Sequence, residues 1–397
     1  MKRVALVAAK RTPVGTFGGM FTKTDAIRLG EVSLRAAIDQ AGISADQIDE
    51  VIYGNILSAG LGPNVARQVT IKAGLPETTP AFSVNKLCGS GLKSVVLGMQ
   101  AIFSGDARII AAGGTENMSQ SPYVVPKARF GARMGTAEML DTMIHDALWD
   151  PFGDYHMGET AEKLADQWDI TREEMDEFAA ESQRRAIEAI DAGRFEAEIA
   201  GVPIPQKSAG EVLAETDEHP RRGVTAEGLA KLRPAFRKDG RVTAGNASGI
   251  NDGAATVILA DEEMVQKLGL KPLAWIVGHG EAALDPSIMG YGPVPATKKA
   301  LAKAGWSLSD VQLAELNEAF AAQSLAVLKG FEKELGGIDP KVVNVNGGAI
   351  ALGHPVGASG TRILVTLLHE MIRRDSKRGL ATLCIGGGMG ISLLVER

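Results

Sequence analysis

The sequence predicts an α/β protein assembled from two copies of one βα-rich unit, with a further domain inserted between matched parts. Three observations carry this. Ala41-Gly42-Ile43-Ser44, followed by Ile48 and Val51-Ile52, precedes by 263 residues Ala304-Gly305-Trp306-Ser307, followed by Val311 and Ala314-Glu315. Gly89-Ser90-Gly91 opens an apolar helical pattern at Leu92, Val95, Val96, Met99 and Ile102, and Ala358-Ser359-Gly360 opens one at Ile363, Leu364, Leu367, Leu368 and Met371. Both patterns run into glycine-rich strand ends, Ile109 to Gly114 and Thr382 to Gly387. Three matched signals in the same order argue for internal duplication rather than a chance tetrapeptide match.

The elements follow in chain order. Val4 to Ala9 is a short apolar run with charge on both sides, which suits a first strand better than a signal peptide. Leu34, Ala37 and Ile38 form an amphipathic helix that stops at Gly42, as Ala300 and Leu301 do at Gly305. Ala81 to Asn85 reads as a strand leading into the Ser90 helix. The middle of the chain matches neither copy. It opens with a Gly/Pro/Arg-bearing segment, Ser121 to Gly135, and continues as a helical stretch from His156 to Asp191, with Thr171-Arg172-Glu173-Glu174 as a capping box. Residues 1–119 are assigned to the first half, completed by 249–269; 120–248 form the insert, suited to a lid or substrate-binding role; 270–397 form the second half.

Composition narrows the function classes. The 397 residues are 45% hydrophobic and 23% charged, and the net charge of −6 comes without a basic block interleaved with aromatics, so nucleic acid is not indicated as a ligand. No run approaches ~18 consecutive apolar residues, so no membrane partner is expected and the location is read as cytoplasmic. With no Cys-x-x-Cys, no His-Glu-x-x-His and six scattered histidines, no metal site is expected.

The chemistry sits at the ends of the duplicated elements. Cys88 lies at a strand-to-helix turn, where free N–H groups and the helix dipole would favour thiolate. The plain alternative is a packing cysteine at a helix entry. The matching turn of the second copy, Val343 to Gly360, is longer and glycine-rich, and contains His354, placed to serve as a base if the halves pack side by side. A lone His before Pro is otherwise a loop residue bonded to backbone. Cys384, the only other cysteine, ends a strand at the same edge, and Asn317 is either an oxyanion or water ligand or a turn residue.

Asn85-Lys86-Leu87-Cys88-Gly89-Ser90-Gly91, Asn317-Glu318-Ala319-Phe320-Ala321, Gly353-His354-Pro355 and Cys384-Ile385-Gly386 together resemble the signature set of the thiolase family. So do His156-Met157-Gly158 and Thr243-Ala244-Gly245-Asn246-Ala247-Ser248-Gly249, and the likeness extends from Arg11-Thr12-Pro13 to the last strand. The resemblance implies two similar halves in five αβαβα layers with an inserted loop domain. It implies that Cys88 takes the acyl group from an acyl-CoA with His354 as base, and that Cys384 removes an α-proton from acetyl-CoA. It implies one oxyanion site made by His354 with a water on Asn317, and another made by the backbone N–H groups of Cys88 and Gly386. Coenzyme A, bound as the substrate's thioester rather than as a cofactor, would meet Arg221, Ser248 and His156, with Ala244 and Phe320 beside it. Gly228 stands where some biosynthetic members carry serine. Met157 and Met289 resemble the residues that close the acyl pocket of short-chain, acetoacetyl-CoA-forming members, although methionine is more often core filling. The expected activity is therefore acetyl-CoA C-acetyltransfer. The alternatives are a degradative 3-ketoacyl-CoA thiolase and a non-catalytic protein that binds acyl-CoA or lipid. A homotetramer built as a dimer of dimers, joined through Ser121 to Leu140, is expected from the same resemblance.

Overall fold

The computed structural model describes residues 3–206 and 210–397. The first half contains strand β1 (Val4–Arg11), helix α1 (Ala26–Ala41), β2 (Glu50–Gly54), α2 (Val65–Lys72), β3 (Ala81–Val84), α3 (Ser90–Ser104) and β4 (Ile109–Asn117). The insert carries α4 (Met157–Gln167) and α5 (Arg172–Asp191), after which β5 (Asn251–Asp261) returns to pair antiparallel between β1 and β4. The second half contains β6 (Ala274–Ala283), α6 (Pro293–Ala304), β7 (Leu313–Leu316), α7 (Ala321–Leu335), α8 (Ser359–Arg374), β8 (Arg378–Ile385) and β9 (Met389–Glu396).

The duplication extends to local chemistry. Gly42 and Gly305 end α1 and α6 in the left-handed region, and Ser44–Gln47 and Ser307–Asp310 close matching capping boxes before β2 and β7. The strand order is β1-β5-β4-β2-β3 in one half and β6-β9-β8-β7 in the other. Where β2 pairs with β3 in parallel, the outer edge of β7, whose other edge pairs with β8, carries a single bridge among the described residues, Ala314 to Val343. The two sheets join at β1 and β6 through Ala5–Trp275 and Leu6–Ala274.

The five expected layers are present. The apolar faces of α1 and α2 pack on the outer side of the first sheet, and α6 and α7 on the outer side of the second. Between the sheets lie α3 and α8, whose side chains share one core with inward residues of both. Here α3 and α8 approach so closely that a Cβ on Gly360 would lie 2.3 Å from the Leu92 nitrogen, so only glycine permits this crossing. The segment Leu87–Ser104, which overlaps α3, is by length and composition apolar enough to cross a membrane, although Lys93 and Gln100 keep it short of an unbroken apolar run. Its apolar character is explained by its place between two sheets.

The single helical stretch expected from His156 to Asp191 is two helices. Asp169 adopts φ 48° in the connection, and Thr171 caps α5 by accepting from the Glu174 N–H. Both helices lie in a cluster that also takes in Ala321, Ala322 and Ala326 of α7, so the insert packs over the edge of the second half.

Candidate active site

The site forms where three turns meet: the one between β3 and α3, the one before α8, and the β8–β9 turn. Cys88 is half-buried against Leu87, Met118 and Val356, and Leu87 ahead of it is held at φ 47°, an uncommon conformation for leucine. The N–H groups of Gly386 and of Cys88 itself point at the Cys88 sulfur. A Cβ on Gly386 would lie 2.8 Å from the Met157 methyl and 3.0 Å from Leu87 Cδ1, so a side chain here would have to displace both.

The structure corrects the thiolate expected at Cys88. The α3 cap is Gly89 rather than Cys88, and burial pushes the Cys88 thiol up to about 11. The two N–H groups lower it only in part, and the buried Glu116 raises it further. Cys384 is fully buried and pushed higher still, by burial first and then by Cys88. Both cysteines therefore rest as thiols at neutral pH, and attack by Cys88 needs a base.

His354 has the properties of that base. Its Nδ1 lies 2.5 Å from Ser359 Oγ, and Ser359 Oγ donates to Pro355 C=O at 2.9 Å. Ser359 Oγ must therefore accept from Nδ1–H, which leaves Nε2 as the bare acceptor. Nε2 is buried and has no hydrogen-bond partner among the described residues. Burial, and then the Arg362 cation, hold the ring down to about 3, so it is neutral at physiological pH.

Asn317 is not in a turn. Its N–H donates to Thr382 C=O at 3.0 Å, continuing the β7–β8 ladder, while Oδ1 and Nδ2 are buried without partners among the described residues. A side-chain amide left in this state is suited to holding a water or a substrate oxygen. Cys384, Met157, Met289 and Phe320 share one apolar cluster, which brings the expected acyl-pocket residues together. Phe320 meets Phe236 edge-on, and Phe236 stacks on the His156 ring at 4.6 Å. His156 caps α4 by accepting from the Gly158 N–H on Nδ1, so its neutral ring carries its proton on Nε2. Ser248 is half-buried, tied by its N–H to Ala319 C=O at 2.9 Å; Ala244 is exposed. Arg221 is exposed, its backbone N–H held by Gln183 Oε1 at 2.8 Å, and its guanidinium makes no ion pair among the described residues.

Several residues that shape the site were not singled out by their sequence. Glu116, pushed up to about 7 by burial, accepts from the N–H groups of Ile56, Leu57 and Gly357 and so fastens two loops around Cys88. Asn251 accepts from the His354 N–H at 2.9 Å. A carboxylate ending the glycine-rich β4 and an asparagine starting the apolar β5 are the signals that would have exposed them.

The family model described as the thiolase N-terminal domain matches residues 4–263, and that of the thiolase C-terminal domain matches 270–397. The chain belongs to the thiolase family. Among thiolase relatives, the acetyl-CoA acetyltransferase of Pseudomonas aeruginosa is 59% identical over 397 residues, with both chains covered in full. That of Cupriavidus necator is 55% identical, again over both full lengths. Among solved thiolase structures, acetyl-CoA acetyltransferase from Syntrophomonas wolfei superposes with a TM-score of 0.98 at 41% identity, covering 100% of each chain. Human mitochondrial 3-ketoacyl-CoA thiolase superposes at 0.95 with 46% identity, covering 100% of this chain and 98% of that one. The overall fold therefore does not separate the two thiolase activities.

One outcome follows for the cysteines. Brief treatment with a thiol alkylator is expected to label Cys88 well before Cys384, because Cys88 is half-buried and less strongly perturbed while Cys384 is sealed in. Acyl-CoA should protect Cys88. Peptide mapping that finds Cys384 modified first would refute this.

Proposed function

We propose that this thiolase is an acetyl-CoA C-acetyltransferase that reversibly condenses two acetyl-CoA into acetoacetyl-CoA and CoA. The observation that carries the proposal is the placing of the Cys88 sulfur under two N–H groups, beside Cys384. The full-length relatives named acetyl-CoA acetyltransferase support it.

In this reading His354 Nε2 takes the Cys88 proton as sulfur attacks the thioester carbonyl, then returns that proton to the departing CoA thiolate. The Nε2–H formed in between can donate to the carbonyl oxygen alongside a water on Asn317. Acetyl-Cys88 remains, its carbonyl oxygen turned to the N–H groups of Cys88 and Gly386. Cys384, which rests as a thiol, then gives its proton to His354 Nε2; the thiolate so formed takes an α-proton from a second acetyl-CoA, and the carbanion attacks acetyl-Cys88. Acetoacetyl-CoA forms as the Cys88–carbon bond breaks, the proton on His354 Nε2 restores the Cys88 thiol, and Cys384 is left protonated as it began. A thioester α-proton is a weak acid, so burial that makes the Cys384 thiolate strongly basic suits this step.

The exposed Arg221 would meet the phosphates of CoA, Ser248 and the Nε2–H of His156 the pantetheine arm, and Ala244 its path; no separate cofactor is needed. Met157, Met289 and Phe320 limit the acyl chain. The second reading, a 3-ketoacyl-CoA thiolase of broader chain length, is favoured by the likeness to the human mitochondrial enzyme. Thiolysis rates decide between them: acetoacetyl-CoA should be cleaved much faster than a long-chain 3-ketoacyl-CoA, and the reverse order would overturn the short-chain assignment.

A cytoplasmic homotetramer is part of the same proposal. Strand β3 lies at the sheet edge with Phe82 exposed, a surface suited to pairing with a second copy. Phe130, Met134 and Met139 stand out from the 121–140 segment. Light scattering at micromolar concentration is expected to give four times the chain mass, and a monomer mass would refute association.

A further inference from the structure

Below the site lies a second pair of charged residues. Arg362 sits on α8 three positions after Ser359, which orients His354, so both lie on one helix face. Glu315 sits on β7 two positions before Asn317, and the ladder continues through Asn317, so both lie on one strand face. Arg362 Nη1 and Glu315 Oε2 are 3.7 Å apart, beyond hydrogen-bond distance, and both side chains are buried. All three guanidinium nitrogens and both carboxylate oxygens lack a hydrogen-bond partner among the described residues.

The neighbouring buried arginine is different. Arg11 bonds Glu198 at 2.5 Å, Asp217 at 2.7 and 2.9 Å and Thr12 C=O at 3.1 Å, and Thr366 of α8 adds a bond to Glu198. Folded proteins leave few buried polar groups unmet, and an unmet guanidinium is among the most unfavourable. The groups to be satisfied are donors on one side and acceptors on the other. Water can serve both at once, whereas chloride would face Glu315 and a metal cation would face Arg362.

We propose that Arg362 and Glu315 form a water-bridged positioning pair that ties α8 to β7 and thereby sets His354 against Asn317. The role assigned to those two residues rests on the thiolase chemistry above; the bridge itself does not. The other charged groups around the pair are Arg11, Glu198, Asp217, Glu318 and Glu370. Glu318 is held by Ser182 and Asn344, and Glu370 by Asn346, Arg373 and Arg374. Arg362 and Glu315, with His354 and Asn317 above them, are thus among the side chains whose buried polar atoms find no protein partner among the described residues.

The test uses the full-length enzyme. A crystal structure is expected to place at least one ordered water within 3.2 Å of both side chains; direct contact between them, or a chloride, would overturn the bridge. Arg362→Met combined with Glu315→Leu removes both charges, so no uncompensated charge is left inside. This double variant is expected to fold, to keep its KM for acetoacetyl-CoA, and to lose about a hundredfold in kcat through misplacement of His354. The acid limb of its kcat/KM profile should move to higher pH. Of the two side chains only the Arg362 cation bears on the His354 ring, holding its pKa down, so the change felt by His354 is loss of that cation. Arg362→Lys, which keeps the charge, should recover part of kcat. Should the double variant not fold, Glu315→Gln is expected to lower kcat with KM unchanged. A folded variant with wild-type kcat and an unmoved acid limb would refute the positioning role. If the wild-type enzyme itself had no thiolase activity, the function above would fail while the crystallographic result still decided the bridge.

Discussion

Replacing Cys384 by Ala is expected to leave acylation of Cys88 intact while condensation falls by about 10³-fold or more, since general-base chemistry contributes 10²–10⁴-fold and no other titratable group of the four motifs can reach the α-carbon. Acylation needs the Cys88 sulfur, His354 Nε2 and the two N–H groups at the sulfur, none of which is the Cys384 thiol. Cys384 is packed among Met157, Met289, Phe320 and Ile350, and alanine keeps that environment apolar. Cys88→Ala should abolish both steps. With radiolabelled acetyl-CoA, the Cys384 variant should carry protein-bound label and release almost no acetoacetyl-CoA, whereas the Cys88 variant should carry no label. A Cys384→Ala enzyme that condenses at near wild-type rate would show that another group moves the proton.

For Asn317→Ala the expected loss in kcat is about 10²–10³-fold, the range for removal of one oxyanion donor. The Asn317 side chain makes no hydrogen bond among the described residues, so its removal breaks none and leaves no partner unmet. Melting temperature should therefore stay close to wild type and KM should change little. An equal fall in stability and activity would mean that Asn317 is a structural residue instead. The ladder bond from its backbone N–H to Thr382 survives the substitution and keeps β7 in register.

Glu116 shows why part of the site was hidden in the sequence. Its carboxylate, about 60 positions along the chain from Ile56 and Leu57 and 241 from Gly357, joins these groups across the interface of the two halves. Asn251 and His354 are likewise brought together only when β5 returns from the insert. Local sequence marks them only as a carboxylate ending a glycine-rich strand and an asparagine starting an apolar one; it does not name their partners Gly357 and His354, which come from the other half. The nucleophile, the base and the second cysteine were legible because each sits in a run of small residues that a close approach requires.

Sequence alone determined the duplicated architecture, since glycine stops, serine capping boxes and 3.6-residue apolar periods are local rules that each copy obeys by itself. The division of the long helical stretch into α4 and α5 followed partly from Thr171, whose capping box was visible, but its extent depended on packing against α7. Only the tertiary structure decided the electrostatics. A helix terminus read in isolation favours thiolate at Cys88; enclosure by Leu87, Met118, Val356 and Glu116 reverses the sign, because desolvation outweighs two N–H groups. The same enclosure makes His354 a neutral base. Burial is a property of all the chain that surrounds a group, so it cannot be read from the residues on either side of it.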